Sequence, residues 1–334
     1  MREVPARCVI GVDLGGTKLL AGAVDPERLT VHHRTRREVF GIDQSALLDA
    51  AVDAVKEASE AVDGEVKAVG FGIPCTFDRR TGVAVQAVNL PLADLKFAEV
   101  MEDRLGLPVE VDNDANCAVW AEARAGAAAG CSDVALLTIG TGIGGGLVLG
   151  GRLYRGFAGA GAEMGHMVVD IDGPPCQGNC PNWGCLEAVA SGSALVREAA
   201  LRVAREPDTP LGRALEEGRA LTGPMITEMA FDGDAVASAA VRVIGERLGV
   251  GIANLVNIFN PEVVVIGGGV IAAGELLLGP AREVMQRRAL SPAKEMVRVV
   301  ETGFGADSGM IGAALLAADP EAAEWGAGPT PAPS

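Results

Sequence analysis

Apolar residues along this chain gather into short uninterrupted runs that end in glycine, and into longer helically spaced sets. Cys8–Val12 is such a run; it stops at Asp13, passes through Gly15-Gly16-Thr17-Lys18, and resumes over Leu19–Val24. Strand, glycine-rich turn and strand predict a β-hairpin. Ser45–Val62 carries Leu47, Leu48, Ala51, Val52, Val55 and Ala58 at helical spacing and predicts an amphipathic helix. Val66–Ile73 reads as a strand, Phe97–Leu105 as a helix and Val109–Val111 as a short strand. That strand runs into Asp112-Asn113-Asp114-Ala115-Asn116 and a helix over Ala115–Gly126.

The opening pattern then recurs. Val134–Ile139 leads through Gly140-Thr141-Gly142-Ile143-Gly144-Gly145-Gly146 to Leu147–Leu149, a second strand, glycine turn and strand that amounts to a weak internal repeat. Arg205–Thr227 is punctuated by Pro and Gly and predicts loops around short helices. Asp234–Ile258 is the longest helical stretch, Val263–Ile266 a buried strand meeting Gly267-Gly268-Gly269, and Met310–Ala318 a last helix. The tail from Asp319 to Ser334, rich in Pro, Ala, Gly and Glu, is expected to be disordered.

Composition narrows the classes. The 334 residues suffice for two domains with sizeable cores. Lys+Arg of 28 against Asp+Glu of 44 gives a net charge of −16, which argues against a nucleic-acid partner. No apolar run approaches the roughly 20 residues needed to span a bilayer. Met1–Arg7 leads straight into a strand without a signal-peptide apolar region, so a cytoplasmic protein is expected, with no membrane partner. Disulfides are unfavourable there. Cys8, Cys75, Cys117 and Cys131 stand singly among apolar neighbours and read as small core side chains. Cys176, Cys180 and Cys185 fall within ten residues and require a chemical account.

Three glycine sites suit a nucleotide. In Asp13–Lys18 the glycines let the backbone approach a phosphate, and Asp13 is suited to holding Mg²⁺ through water. It is not a Walker A loop, since the spacing differs and no helix follows directly. Alone, this motif reads as an ordinary hairpin turn. Together with Thr138–Gly146 and Gly267–Gly269 it suggests a cradle for triphosphate and adenosine. His166, Cys176, Cys180 and Cys185 supply one imidazole and three thiolates, a set suited to structural zinc, with intervening Pro and Gly to turn the chain. Asp114 follows a strand and precedes a helix. Spacing alone leaves either Asp112 or Asp114 as a simple helix cap.

Asp13–Lys18, Asn113–Asn116, Gly140–Gly146, Glu163-Met164-Gly165-His166, Cys180–Glu187 and Gly267–Gly269 occur in the order seen in the ROK family, which this chain resembles over roughly residues 8–318. The family comprises bacterial sugar kinases and related repressors. The resemblance implies an α/β protein of actin/hexokinase-like (ribonuclease H-like) ATPase fold, with two α/β domains around a cleft. The smaller is expected at residues 1–112 plus 303–318 and the larger, with the zinc loop, at 113–302.

It also implies Mg-ATP as donor and a hexose as acceptor. Asp114 becomes the catalytic base; Asn89, Asn113, Asp114, Glu163, His166 and Glu187 become sugar contacts. Asp13, Gly15, Gly16, Thr17, Lys18, Thr141, Gly142, Gly144, Gly145, Gly268 and Gly269 become nucleotide contacts. The cysteine spacing, Cys-x3-Cys-x4-Cys, is two residues longer in its first gap than the family's commonest form. Residues 307–314, rich in small side chains, resemble the family's second interdomain connection.

The expected activity is 6-phosphorylation of a hexose, glucose foremost. N-acetylmannosamine, fructose and a polyphosphate donor are the rivals within the family, and a homodimer or homotetramer is the expected assembly. A sugar-responsive repressor is disfavoured, because a helix-turn-helix needs more than the twelve residues before Asp13, and Asp114 is present.

Overall fold

The computed structural model describes residues 8–78, 83–87, 90–92 and 95–319. These form a mixed α/β protein that divides into two compact units. One comprises residues 1–132, 146–162 and 302–334; the other comprises 133–145 and 163–301.

The first unit opens with the predicted hairpin. β1 (Cys8–Leu14) pairs antiparallel with β2 (Lys18–Asp25), which pairs with β3 (Thr30–Glu38). α1 (Gln44–Glu60) is capped by Asp43, whose carboxylate accepts from Ala46 N–H at 2.9 Å. β4 (Val66–Ile73) then lies parallel to β1. The short antiparallel pair β5 (Cys75–Asp78) and β6 (Val83–Ala87) precedes α2 (Phe97–Leu105). β7 (Val109–Asn113) completes the sheet, in the order β3-β2-β1-β4-β7, and α3 (Asp114–Ala125) follows without a break. Ile10, Leu14, Leu19, Leu47, Phe71 and Ile73 fill the core between sheet and helices. Phe71 and Phe97 meet edge to face at 5.1 Å, a geometry worth about 0.5–1.5 kcal/mol beyond burial.

In the second unit β8 (Val134–Ile139) precedes β9 (Ile143–Leu149), whose later residues belong to the first unit, as does β10 (Arg152–Leu153), its antiparallel neighbour. The helices are α4 (Leu186–Ala190), α5 (Gly192–Val203), α6 (Pro210–Glu216), α7 (Gly223–Phe231) and α8 (Ala235–Phe259). α8 is the predicted long helix, capped by Asp234 and closed by Asn260 in the left-handed region. β11 (Val263–Gly267), buried throughout, runs parallel to β8 and to β12 (Arg298–Glu301); α9 (Glu275–Arg288) and α10 (Ala293–Met296) lie between β11 and β12 in sequence.

The chain returns to the first unit in α11 (Ser308–Ala318), which packs on α3, β1 and β4. Gly312 permits this approach, since a Cβ there would overlap the Cys117 carbonyl oxygen of α3. The boundary differs from the expected one at Asp112. α3 stays with the first unit because its contacts are to β4, β7 and α11, and the second unit begins only at Asp133.

Glu122 of α3 ties these segments together. Fully buried, its carboxylate accepts from Ala127 N–H and Gly303 N–H at 2.8 Å, Phe304 N–H at 3.1 Å and Ser308 Oγ at 2.7 Å. Residues near 127 and 303–308, far apart in sequence, thus share one acceptor. Each donor deprived of it would cost about 1–3 kcal/mol.

Candidate active site

β7 delivers the acidic group. The strand ends at Asn113, whose Oδ1 accepts from Ala115 N–H at 2.9 Å and Asn116 N–H at 3.3 Å, so Asn113 caps α3. The cap is therefore neither Asp112 nor Asp114. Asp114, first residue of α3, is partly buried at the positive end of the helix dipole.

Asp112 turns inward instead and is 2% exposed. Its Oδ2 takes both Nε and Nη2 of Arg155 at 2.7 Å, while Oδ1 accepts from Asn116 Nδ2 at 2.8 Å. Arg155, also buried, was not singled out in the sequence; 43 residues separate it from Asp112. It opens a glycine-rich loop closed by Gly161 N–H on the Arg155 carbonyl at 2.9 Å, and that loop leads to Glu163.

Two carboxyls in this unit are pushed up to about 7. For Asp13 the causes are burial and then the charge of Asp114, with Lys18 opposing. Its carboxylate lies against Gly309 in the first turn of α11. Gly15, Gly16, Thr17 and Lys18 complete the hairpin turn, closed by Gly15 N–H on the Lys18 carbonyl at 2.9 Å.

For Glu110 burial again dominates, followed by Asp112; Arg155 and the Val111 backbone oppose, and Glu102 adds a small upward push. An acid whose folded value exceeds its unfolded 4.5 loses stability as pH rises from about 4.5 to 7 and carries the full penalty above that. Glu110→Gln should therefore raise the thermal midpoint at pH 8, with the gain fading by pH 5. Melting curves at both pH values test this; an equal gain at both would exclude the ionisation as cause.

In the second unit the four predicted ligands converge. One donor atom from each of His166, Cys176, Cys180 and Cys185 lies within 4.8 Å of every other, a group that could hold a metal ion. His166 Nδ1 stands 3.6 Å from Cys176 Sγ, and Cys180 Sγ 3.9 Å from Cys185 Sγ. A 3-10 turn, Met164–His166, positions the histidine. A backbone bridge between Val168 and Cys185 closes the loop. Glu163 precedes that turn; burial raises its pKa, with His166 lowering it and Glu187 raising it. Glu187 Oε2 accepts from Ile143 N–H at 2.8 Å, so this carboxylate engages the second glycine turn.

That turn borders a cavity of about 420 Å³ in the second unit. Gly140, Thr141 and Gly269 line it, the last two named above as expected nucleotide contacts, with Ser193, Leu221 and Thr222 among the other lining residues. Leu221–Thr227 gave no signal beyond Pro and Gly punctuation. Gly268 adopts φ 85°, and a Cβ there would overlap the Ile139 carbonyl, so only glycine serves. The expected turn through Gly146 is shorter, because β9 starts at Ile143 and takes Gly144 and Gly145 into a strand. Gly142 stays in the turn. Asn89 lies outside the described residues.

Two parallel-centred sheets, a carboxylate at a strand-to-helix junction and glycine turns following strands define an α/β phosphotransferase-type scaffold. The ROK family model matches residues 9–320, and the chain belongs to that family. It is 36% identical over 318 residues to a glucokinase of Streptomyces coelicolor, covering 93% of this chain and 98% of that one. A crystal structure of a ROK family glucokinase from Streptomyces griseus in complex with glucose and AMPPNP is 37% identical, with a TM-score of 0.82 over 93% of this chain and 99% of that one. The similarity extends to a putative xylose repressor of a Caldicellulosiruptor strain, 33% identical over 87% of this chain and 73% of its own length. Among the described residues no helix is long and apolar enough to cross a membrane.

Proposed function

We propose that this protein is an ATP-dependent glucokinase, transferring a phosphoryl group to the 6-hydroxyl of glucose. The observation that carries this is near-full-length similarity to glucokinases, including one solved with glucose and an ATP analogue, joined to an acidic side chain at the head of α3. Asp114 accepts the proton of the attacking hydroxyl. Asn113 spends Oδ1 on its cap and offers Nδ2 to a sugar oxygen. Glu163, Glu187 and the Nε2 face of His166 supply further sugar contacts, as does Asn89. The cavity beside Thr141 and Gly269 suits the nucleoside, and the Asp13–Lys18 turn suits the phosphates.

Asp13, raised by burial and by Asp114 with Lys18 opposing, is a buried carboxylate beside a second acid, which suits a site for Mg²⁺. When bound, that ion neutralises phosphoryl oxygens. Zinc suits the His-Cys cluster. A tetrahedral site with Zn–S near 2.3 Å and Zn–N near 2.0–2.1 Å has S···S edges of ~3.8 Å and S···N edges of ~3.6 Å. The distances of 3.9 and 3.6 Å agree with one S···S and one S···N edge of such a cage, and all four donor atoms lie within 4.8 Å of one another. With all four positions filled by protein, the metal is structural. A cytoplasmic location and a homo-oligomeric state complete the proposal.

A coupled ADP-release assay across glucose, mannose, fructose, N-acetylglucosamine and N-acetylmannosamine tests it. Glucose is expected to give the highest kcat/KM with ATP. No turnover on any sugar would favour the repressor reading, and a higher kcat/KM with polyphosphate would replace ATP as donor.

A further inference from the structure

Gln177 lies in the three-residue gap between Cys176 and Cys180, and its side chain leaves the metal-ligand cluster altogether. Its Nε2 donates to the Thr141 carbonyl at 3.2 Å and to Ser191 Oγ at 3.2 Å. Both partners belong to the walls of the 420 Å³ cavity or to their support. Thr141 lines it directly. Ser191 is fully buried and caps α5 by accepting from Ala194 N–H at 3.2 Å, and α5 contributes Gly192, Ser193, Leu195 and Val196 to the lining.

The two walls are already joined, by Gly192 N–H on the Gly140 carbonyl at 2.8 Å and Ser193 Oγ on the Thr141 carbonyl at 2.9 Å. Gln177 adds a brace from the cysteine loop to both walls at once. On the other side of the glycine turn, Ile143 N–H donates to Glu187 Oε2, while Glu187 Oε1 stands 3.7 Å from Cys176 Sγ. The turn is thus gripped at Thr141 and at Ile143 by groups adjoining the metal cluster.

We infer that Gln177 is a positioning residue for the nucleotide: through it, the zinc-held loop sets the glycine turn and the α5 N-terminus at the separation an adenosine phosphate requires. The inference rests on the reading of this cavity as the nucleotide site. A loop held by its metal keeps the Gln177 amide in place; a loosened loop withdraws that brace and leaves the walls to the Gly192 and Ser193 hydrogen bonds. Binding coupled in this way is reciprocal, so nucleotide should also tighten retention of the metal.

The test uses the zinc-loaded protein and a non-hydrolysable ATP analogue. Calorimetry on Gln177→Ala and on the isosteric Gln177→Glu, which cannot donate, should give analogue Kd values about fivefold weaker than the parent, the effect of roughly one net hydrogen bond. KM for glucose should stay within about twofold in the same variants, which a general loss of structure would not allow. Zinc affinity, read from equilibrium competition with a chromophoric chelator, should be raised several-fold by saturating analogue in the parent, and by much less in either variant.

Parent protein that binds the analogue, with variants binding it equally well, would overturn the role of Gln177 alone. Zinc affinity of the parent that is indifferent to the analogue would overturn the coupling. Failure of the parent to bind the analogue at all would remove the nucleotide reading itself, and the inference with it.

Discussion

Asp114→Ala is expected to reduce kcat by about 10²–10⁴-fold, the range for loss of a positioned general base, with glucose still bound. The carboxylate stands at the first position of α3, directly after an edge strand, and Asn113 rather than Asp114 supplies the cap. Removing the Asp114 side chain leaves that cap in place but loses an acceptor for Ala115 N–H at 2.9 Å and a charge in the first turn, so the thermal midpoint should fall only modestly. Loss of its charge also relieves Asp13, whose pKa should fall, because Asp114 is the second-largest cause of that elevation. Steady-state kinetics with a glucose-binding measurement decide the matter. Turnover near the parent level with intact folding would sink the assignment of Asp114 as base.

Loss of the metal ranks next. Cys185 is the buried member of the four ligands, so Cys185→Ser removes a thiolate from the inner edge of the cage. Structural zinc binds zinc-finger peptides with about 10–16 kcal/mol, much of it folding energy. Here two five-stranded sheets and a buried apolar core lie outside the cysteine loop, and the damage should concentrate in residues 166–187. Elemental analysis should find about one zinc per parent chain and close to none in Cys185→Ser. Limited proteolysis should cut the variant first within 168–184, and KM for glucose should rise, since Glu163 and Glu187 flank that loop. An active parent free of zinc, or a variant with unaltered proteolysis and KM, would contradict the structural role.

Much of the scaffold was legible because its signals are local. Val66–Ile73, Phe97–Leu105 and Val134–Ile139 were read to the residue, and the long helix was displaced by a single position at each end. Other elements were missed for physical reasons. β3 carries His32, His33, Arg34, Arg36 and Arg37 on an edge strand, so it lacks the apolar alternation that marks a half-buried one. α9 contains Pro280, which reads as a breaker, yet the helix forms with Leu277, Leu278, Ala281, Val284 and Met285 buried.

The sequence by itself determined what depends on residue type at short range: the glycine turns, the acid at the strand-to-helix junction, and the four nitrogen- and sulfur-bearing side chains His166, Cys176, Cys180 and Cys185. Tertiary structure alone decided the partners of the buried charges and the far wall of the cavity. Arg155 reaches Asp112 across 43 residues, and Glu122 accepts from Gly303 across 181. Leu221–Thr227 closes a cavity begun by Gly140 and Thr141. None of these pairings leaves a period or a motif in the chain. The two charged pairings are selected because a buried charge must find its partner wherever folding brings one within hydrogen-bonding distance, and the cavity wall by packing alone.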